Sequence, residues 1–266
     1  MYNIFWYKSS VYGDNFGDEI VPWLLNKMFH IKITNPCHKL SKNMLLSIGS
    51  VLWACNSSTT VWGTGILSSK EKIIAPKQVF SVRGLFSRQR LIDLGYECPK
   101  NFGDPAILCS NYFKPIVKKR YKLGIIPHII EYKEINQIYQ NIPNIKIINL
   151  RTNNIESVIE DILSCEQTIS SALHGIIISV IYNIPTKWVV FSNKLYGDGV
   201  KYYDFFSSLD NKVFYDFDNN IFQTKNSIYN PTIVADSTKI LDIKTELYST
   251  QNLNIEQIYE SCPIKN

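Results

Sequence analysis

No apolar run in this chain approaches the roughly 20 residues that span a bilayer; the longest are of the length of Ile176 to Tyr182. A membrane span is therefore not expected. The opening "MYNIFWYKSS" lacks a basic region ahead of a hydrophobic one and a small-residue cleavage site, so it reads as a first strand and the protein is expected in the cytoplasm. There is no G-x-G-x-x-G or Walker loop to announce a dinucleotide or nucleoside triphosphate. The six cysteines (Cys37, Cys55, Cys98, Cys109, Cys165, Cys262) form no C-x-x-C pair and show no zinc-like spacing with histidine. They read as free thiols used for packing, and no metal site is expected. Histidine is scarce, with four in all.

A strong excess of either charge is also lacking. The formal net charge of +5 on 266 residues is mild, and the basic residues are dispersed apart from "KPIVKKRYK", Lys114 to Lys122. A nucleic-acid partner is not expected. The basic run reads as a solvated linker that could also favour an anionic membrane surface or an anionic substrate.

What is present is alternation. Short apolar runs alternate with helical patterns, as in parallel sheets covered by helices. Strands are expected at Asn3 to Tyr7, Ile31 to Thr34, Leu45 to Ile48, Thr60 to Trp62 and Val79 to Val82, with helices at Glu19 to Phe29 and Phe86 to Leu94. After the basic stretch the pattern restarts with "YKLGIIP", a helix at Glu134 to Asn141, "IKIINL", a helix at Ile155 to Leu163, "QTISS", a helix at His174 to Tyr182, and "TKWVVF". "KYYDFFSSL" and "NIEQIYESC" have helical spacing, and the second is expected to return to the first half. This gives an α/β chain of two halves, residues 1–116 and 117–266.

Glycine-rich or polar loops follow four of the strands: "GDNFGDE", "GTG", "RG" and "SALHG". In parallel sheets ligands bind outside the carboxyl ends of strands, so these loops are candidates to line one cleft between the halves. Each has a plainer reading. Asn15, Gly17 and Asp18 are turn residues, with Asp18 a potential helix N-cap. Gly63 and Gly65 could serve close backbone packing alone. Arg83 stands where its fork could grip a carboxylate or phosphate, or make a surface salt bridge. His174 follows Ser170 and Ser171 and opens an apolar helix, so hydroxyls, amides and imidazole would converge on a spot suited to an anion, although a lone histidine is more often structural. His128 ends a strand and is the second candidate.

Taken in order, "NFGDEIVPWLL", "VWGTGI", "VRGLFSRQRLIDLG", "GDPAIL", "LGIIPH", "ISSALHGIIISVIYNIPTKWV" and "KYYDFF" resemble the polysaccharide pyruvyl transferase family, especially its bacterial exopolysaccharide ketal-pyruvyl transferases. The resemblance covers roughly residues 1 to 208. It implies two Rossmann-like domains facing a cleft in a glycosyltransferase-B-like arrangement, with the acceptor on the first domain and the donor on the second. It implies phosphoenolpyruvate as donor substrate, with no cofactor required. The implied acceptor is a sugar of a cell-surface polysaccharide or a polyprenyl-diphosphate-linked oligosaccharide, handled at the cytoplasmic face of the inner membrane. By the same resemblance Arg83 binds the donor's anionic groups, the segment Ser170, Ser171, Leu173, His174, Gly175 brings the histidine to phosphoenolpyruvate, and the loop Asn15 to Asp18 shapes the acceptor side.

Ketal formation needs a proton for the enol carbon, a base for the sugar hydroxyl and a cradle for anions. The cradle is expected at Arg83, Ser170, Ser171 and the amides near His174. His174 is expected to protonate the carbon or hold the phosphate, and Asp18 or His128 to take the hydroxyl proton. On this assignment Arg83→Ala and His174→Ala abolish transfer and leave the fold intact. Two other classes stay open: a nucleotide-sugar glycosyltransferase using the same cleft for a diphosphate, and a carbohydrate-binding protein with no reactive histidine. The 16 tyrosines and 5 tryptophans suit sugar stacking and ordinary cores alike.

Overall fold

The computed structural model describes residues 2–210, 213–216, 221–224, 227–234 and 236–265. Its architecture is α/β, built on two parallel sheets. The first sheet runs in sequential order β1 (Asn3–Phe5), β2 (Met44–Leu46), β3 (Thr60–Trp62), β4 (Gln78–Ser81). The second contains β5 (Tyr121–Ile126), β6 (Ile145–Ile147), β7 (Cys165–Ser170), β8 (Thr186–Val190) and the short β11 (Thr232–Ile233), in the order β11-β8-β7-β5-β6. All the pairings within both sheets are parallel. An antiparallel pair, β9 (Val213–Asp216) and β10 (Ile221–Thr224), stands apart.

The sequence explains the layering. β2 and β3 are buried along their whole length, as strands covered on both faces must be, and they read as continuous apolar runs. Helix α1 (Phe16–Phe29) buries Phe16, Ile20, Val21, Leu24 and Leu25, a stripe at helical spacing, and ends where His30 adopts the left-handed conformation at φ 56. Helices α2 (Leu85–Asp93) and the one-turn α3 (Cys109–Tyr112) complete the first half. In the second half, α4 (Tyr132–Tyr139) precedes α5 (Ile155–Leu163), which starts where the Asn154 side chain accepts the Ser157 N–H. Helix α6 (Leu173–Ile181) is buried on every side except at His174, as its largely apolar sequence requires. Helix α7 (Val200–Leu209) is buried throughout.

One apolar cluster extends from Ile4 to Cys262 and joins the helices of both halves. Polar ties reinforce the contact: the Phe16 N–H donates to the Leu150 carbonyl at 2.8 Å. The last helix, α8 (Ile255–Glu260), lies on the first sheet, where the buried Trp62 indole donates to the Ile258 carbonyl at 2.9 Å. Five of the six cysteines are buried and all six are free thiols.

One expected element is absent: residues 31–34 form no strand. β1 pairs directly with β2, and the chain next meets β1 only where the Cys37 N–H donates to the Ile4 carbonyl, so Ile31 to Thr34 has no ladder partner. Helix α1 also begins three residues earlier than its pattern suggested, at Phe16.

Candidate active site

A cavity of about 630 Å³ opens at the carboxyl ends of both sheets. Every segment lining it follows a strand: Tyr7 to Asp18 after β1, Gly49 to Trp53 after β2, Leu67 after β3, His128 to Ile130 after β5, Leu150 after β6, Ala172 to His174 after β7, and Tyr196 and Lys201 after β8. This is where a parallel α/β layer places its ligands. A wider surface hollow of about 850 Å³ near Pro76 and Tyr96 lies at the amino end of β4, and its Arg88 is already engaged with the Cys98 carbonyl.

The first loop enters helix α1 through Asn15, whose carbonyl accepts the N–H groups of Asp18 and Glu19. Asp18 is not the N-cap; it sits within the first turn, and the Asn15 side chain donates to its carboxylate at 2.6 Å. Burial pushes the Asp18 carboxyl up to about 7, against the opposing pull of that hydrogen bond. Gly17 lets α1 approach His174, because a methyl group there would lie 2.2 Å from the imidazole Nδ1. Asp18 and His174 both border Gly49.

His174 is held in the opening turn of α6, and Leu173 lines the cavity beside it. Burial first, then the charges of Arg83 and Lys201, push its imidazole down to about 3. Its Nε2 is buried without a hydrogen-bond partner, 3.8 Å from Asp104 Oδ2. His128 also faces the cavity and is likewise lowered to about 3, by burial and then by Lys201. Both histidines are neutral near pH 7.

The remaining expected residues stand behind the wall. Arg83 is fully buried: its Nε donates to Asp204 at 2.9 Å, one terminal nitrogen to Ser50 Oγ at 2.7 Å and the other to the Ile66 carbonyl at 2.7 Å. The surface salt bridge and the open anion fork are both replaced by an internal ion pair. Gly65 lies under that guanidinium, where a methyl group would come within 2.4 Å of it. The Ser170 hydroxyl turns into the backbone, donating to the carbonyls of Ile126 and Ala172 and accepting the Ala172 N–H. Gly175 leaves room for that hydroxyl. Ser171 accepts the His128 N–H and donates to the buried Glu131 at 2.6 Å. These serines shape the loop that carries His174; neither lines the cavity.

Lys201, in the first turn of α7, is a cation that faces the cavity where the sequence reading expected Arg83. It lines the cavity and is 8% exposed. Among the described residues no carboxylate forms an ion pair with its Nζ, which lies 5.1 Å from the Tyr202 ring. Burial and then Arg83 lower its ammonium to about 8, while Glu131 and Asp18 act in the opposite sense. Its motif was legible, but its helix reads as core. At the cavity mouth stand Tyr7, Trp53 and Tyr196, 48%, 36% and 76% exposed, with Tyr7 and Trp53 edge to face at 6.2 Å. Among the described residues no cluster of three or more His, Cys, Asp or Glu side chains is placed to hold a metal ion.

An uncharacterised protein of Acanthamoeba polyphaga mimivirus is 29% identical over 252 residues, covering 88% of this chain and 86% of its own length. No solved structure matches the chain. The family model for polysaccharide pyruvyl transferases matches residues 15–193, a span that takes in the first loop, Arg83, Asp104 and the histidine turn. With that match over more than half its length, the chain belongs to the polysaccharide pyruvyl transferase family.

Proposed function

We propose that this protein transfers pyruvate from phosphoenolpyruvate to two hydroxyls of a sugar, forming a pyruvate ketal on a cell-surface polysaccharide or a lipid-linked repeat unit. The observation that carries the reading is the meeting of Lys201, Asp18 and His174 at one cavity: an unpaired cation, a carboxyl held protonatable near neutrality and a neutral imidazole. The donor is a small trianion, and a desolvated ammonium attracts it strongly.

Two groups whose environments push their proton affinities apart divide acid from base between them. Asp18 is the acid and His174 the base, in place of the expectation that His174 protonates the carbon or holds the phosphate and that Asp18 or His128 takes the hydroxyl proton. Asp18 delivers its proton to C3 of the donor as the C2=C3 electron pair forms the new C–H bond. The acceptor oxygen bonds to the resulting oxocarbenium-like C2 and its proton passes to His174. Phosphate then departs with the C2–O electron pair, the second hydroxyl closes the ketal, and the proton of that hydroxyl leaves with the phosphate. Bound donor charge favours the protonated forms of both groups, keeping Asp18 an acid and making His174 a stronger base. Lys201 neutralises the donor, and no cofactor enters these steps.

The aromatic mouth of Tyr7, Trp53 and Tyr196 suits the flat apolar face of a pyranose. Two separate parallel sheets and a cavity lined from both support the division into Rossmann-like domains, residues 1–116 and 117–266, in a glycosyltransferase-B-like arrangement. No helix among the described residues is long and apolar enough to cross a membrane. For a polyprenyl-diphosphate-linked acceptor, the exposed Lys114, Lys118 and Arg120 of the basic run would bring the protein to the cytoplasmic membrane face.

Thermal stabilisation of the purified protein by phosphoenolpyruvate, against a panel of nucleotide sugars, tests the reading, since a ligand that binds only the folded state raises apparent stability. Stabilisation by phosphoenolpyruvate that disappears in Lys201→Met is expected. Stabilisation by a nucleotide sugar alone would replace pyruvyl transfer with glycosyl transfer.

A further inference from the structure

We propose that Asp104 is a positioning residue for His174: it fixes the imidazole in the tautomer that carries its proton on Nε2 and so turns Nδ1 toward the substrate. The inference rests on the pyruvyl-transfer reading for its catalytic consequence and on geometry alone for its structural content.

Asp104 stands ahead of the short 3-10 turn at Pro105–Leu108 and is fully buried. Its carboxylate is fixed from two directions, with Oδ1 accepting the Ala106 N–H at 3.0 Å and Oδ2 the Gly49 N–H at 3.3 Å. Capping that turn accounts for Oδ1. Oδ2 has a second neighbour, His174 Nε2, at 3.8 Å. That nitrogen is buried and has no other partner. A buried polar atom is rarely left unsatisfied, and the separation exceeds the ~3.2 Å reach of an N–H···O hydrogen bond by little. Catalytic hydrogen bonds are often long in the empty enzyme and tighten when substrate binds.

A neutral imidazole has one N–H donor and one lone pair, and the partner of one nitrogen decides which is which. A carboxylate accepts only. Opposite Nε2 it therefore favours Nε2–H, whereas an Nε2 lone pair would face oxygen lone pairs. Nδ1 lies against Gly17, which lines the cavity, so this tautomer presents the basic nitrogen there. When Nδ1 takes the hydroxyl proton, the imidazolium that forms lies beside an anion. The other charged groups acting on the ring are Arg83 and Lys201, which oppose that protonation, and Asp18 across Gly49, which favours it when ionised. Burial pushes the Asp104 carboxyl up to about 6, with Arg83 opposing, so it is an anion above neutrality.

The test is long-range proton–nitrogen correlation NMR on protein labelled with ¹⁵N-histidine at mildly alkaline pH. With four histidines in the chain, the His174 signals are those missing from His174→Gln. Protonated Nε2 with unprotonated Nδ1 is expected in the wild type, and loss of that preference in Asp104→Asn. A wild-type His174 protonated at Nδ1 overturns the proposal, and this measurement does not require Asp104→Asn to fold. An Asp104→Asn spectrum with the wild-type tautomer overturns it as well, since simple loss of a turn cap would leave the ring unchanged. Neither readout depends on turnover, so failure of phosphoenolpyruvate to bind would count against the transfer reading and leave the tautomer question answered.

Discussion

Arg83 and Asp204, 121 positions apart in the chain, form a 2.9 Å ion pair in which neither side chain meets solvent. Asp204 also accepts the Ser87 N–H and hydroxyl, so α2 and α7 are clasped at one carboxylate. Removing one partner of a buried pair strands the other charge and costs about 3–5 kcal/mol. Arg83→Met is expected to lower unfolding free energy by that amount in urea titration. A loss below about 1 kcal/mol would show that the pair is dispensable. The same titration tests the sequence-based expectation that Arg83→Ala spares the fold.

Lys201→Met should act in the opposite way on the empty protein. The lysine's folded pKa is lowered from 10.5 to about 8, so the unfolded chain binds more protons between those values and stability rises with pH across that window. Unfolding free energies on either side of the window should show this rise in the wild type and its loss in Lys201→Met. An equal rise in both would place the effect elsewhere.

Asp18 has the reverse sign. Its folded pKa is raised from 3.8 to about 7, so the contribution it makes while protonated is full below the lower value and is lost as pH rises through the upper one. Asp18→Asn carries no such loss. Its stability relative to wild type should therefore increase from about pH 4 to about pH 7 and level off above, while its transfer rate falls by roughly 10²-fold or more for want of the acid. A pH-independent stability difference would mean that Asp18 is ionised throughout.

Trp53→Ala tests the acceptor side. Losing one stacked aromatic contact of about 1.4 kcal/mol corresponds to a roughly tenfold rise in acceptor KM. Stabilisation by phosphoenolpyruvate should be unchanged, since Trp53 stands at the mouth. A parallel loss of donor binding would move the sugar elsewhere.

The α/β class, the helices and most strands were legible because each is written in local periodicity; α5 runs from Ile155 to Leu163 as expected. His174 was legible because a histidine opening an otherwise apolar helix is conspicuous. The partners were not. Nothing in the spacing of Arg83 announces Asp204, since an ion pair across the fold leaves no periodic trace. Lys201 was hidden in "KYYDFF", whose helix is buried on all sides and looks like core. Asp104 stands in "GDPAIL", which entered only as part of the resemblance; neither its cap of the following turn nor its second neighbour was singled out. The residues 31–34 show the converse error: alternation predicts a strand, but the edge strand β1 pairs with β2 and gives its Ile4 carbonyl to the Cys37 N–H, which leaves that segment no ladder partner.

Helix α7 offers Lys201 to the cavity and, one turn later, Asp204 to Arg83. Anyone wishing to retarget the protein to a different sugar inherits that arrangement. A shift of α7 that reshapes the Lys201 end of the cavity also disturbs the buried ion pair, so substitutions that move the helix are expected to cost stability. The strand-following loop from Tyr7 to Tyr12 borders the same cavity and carries exposed positions at Tyr7, Lys8 and Ser10. Under the pyruvyl transfer proposed above, diversity placed in that loop is expected to sample new acceptors while leaving the clasp between α2 and α7 untouched.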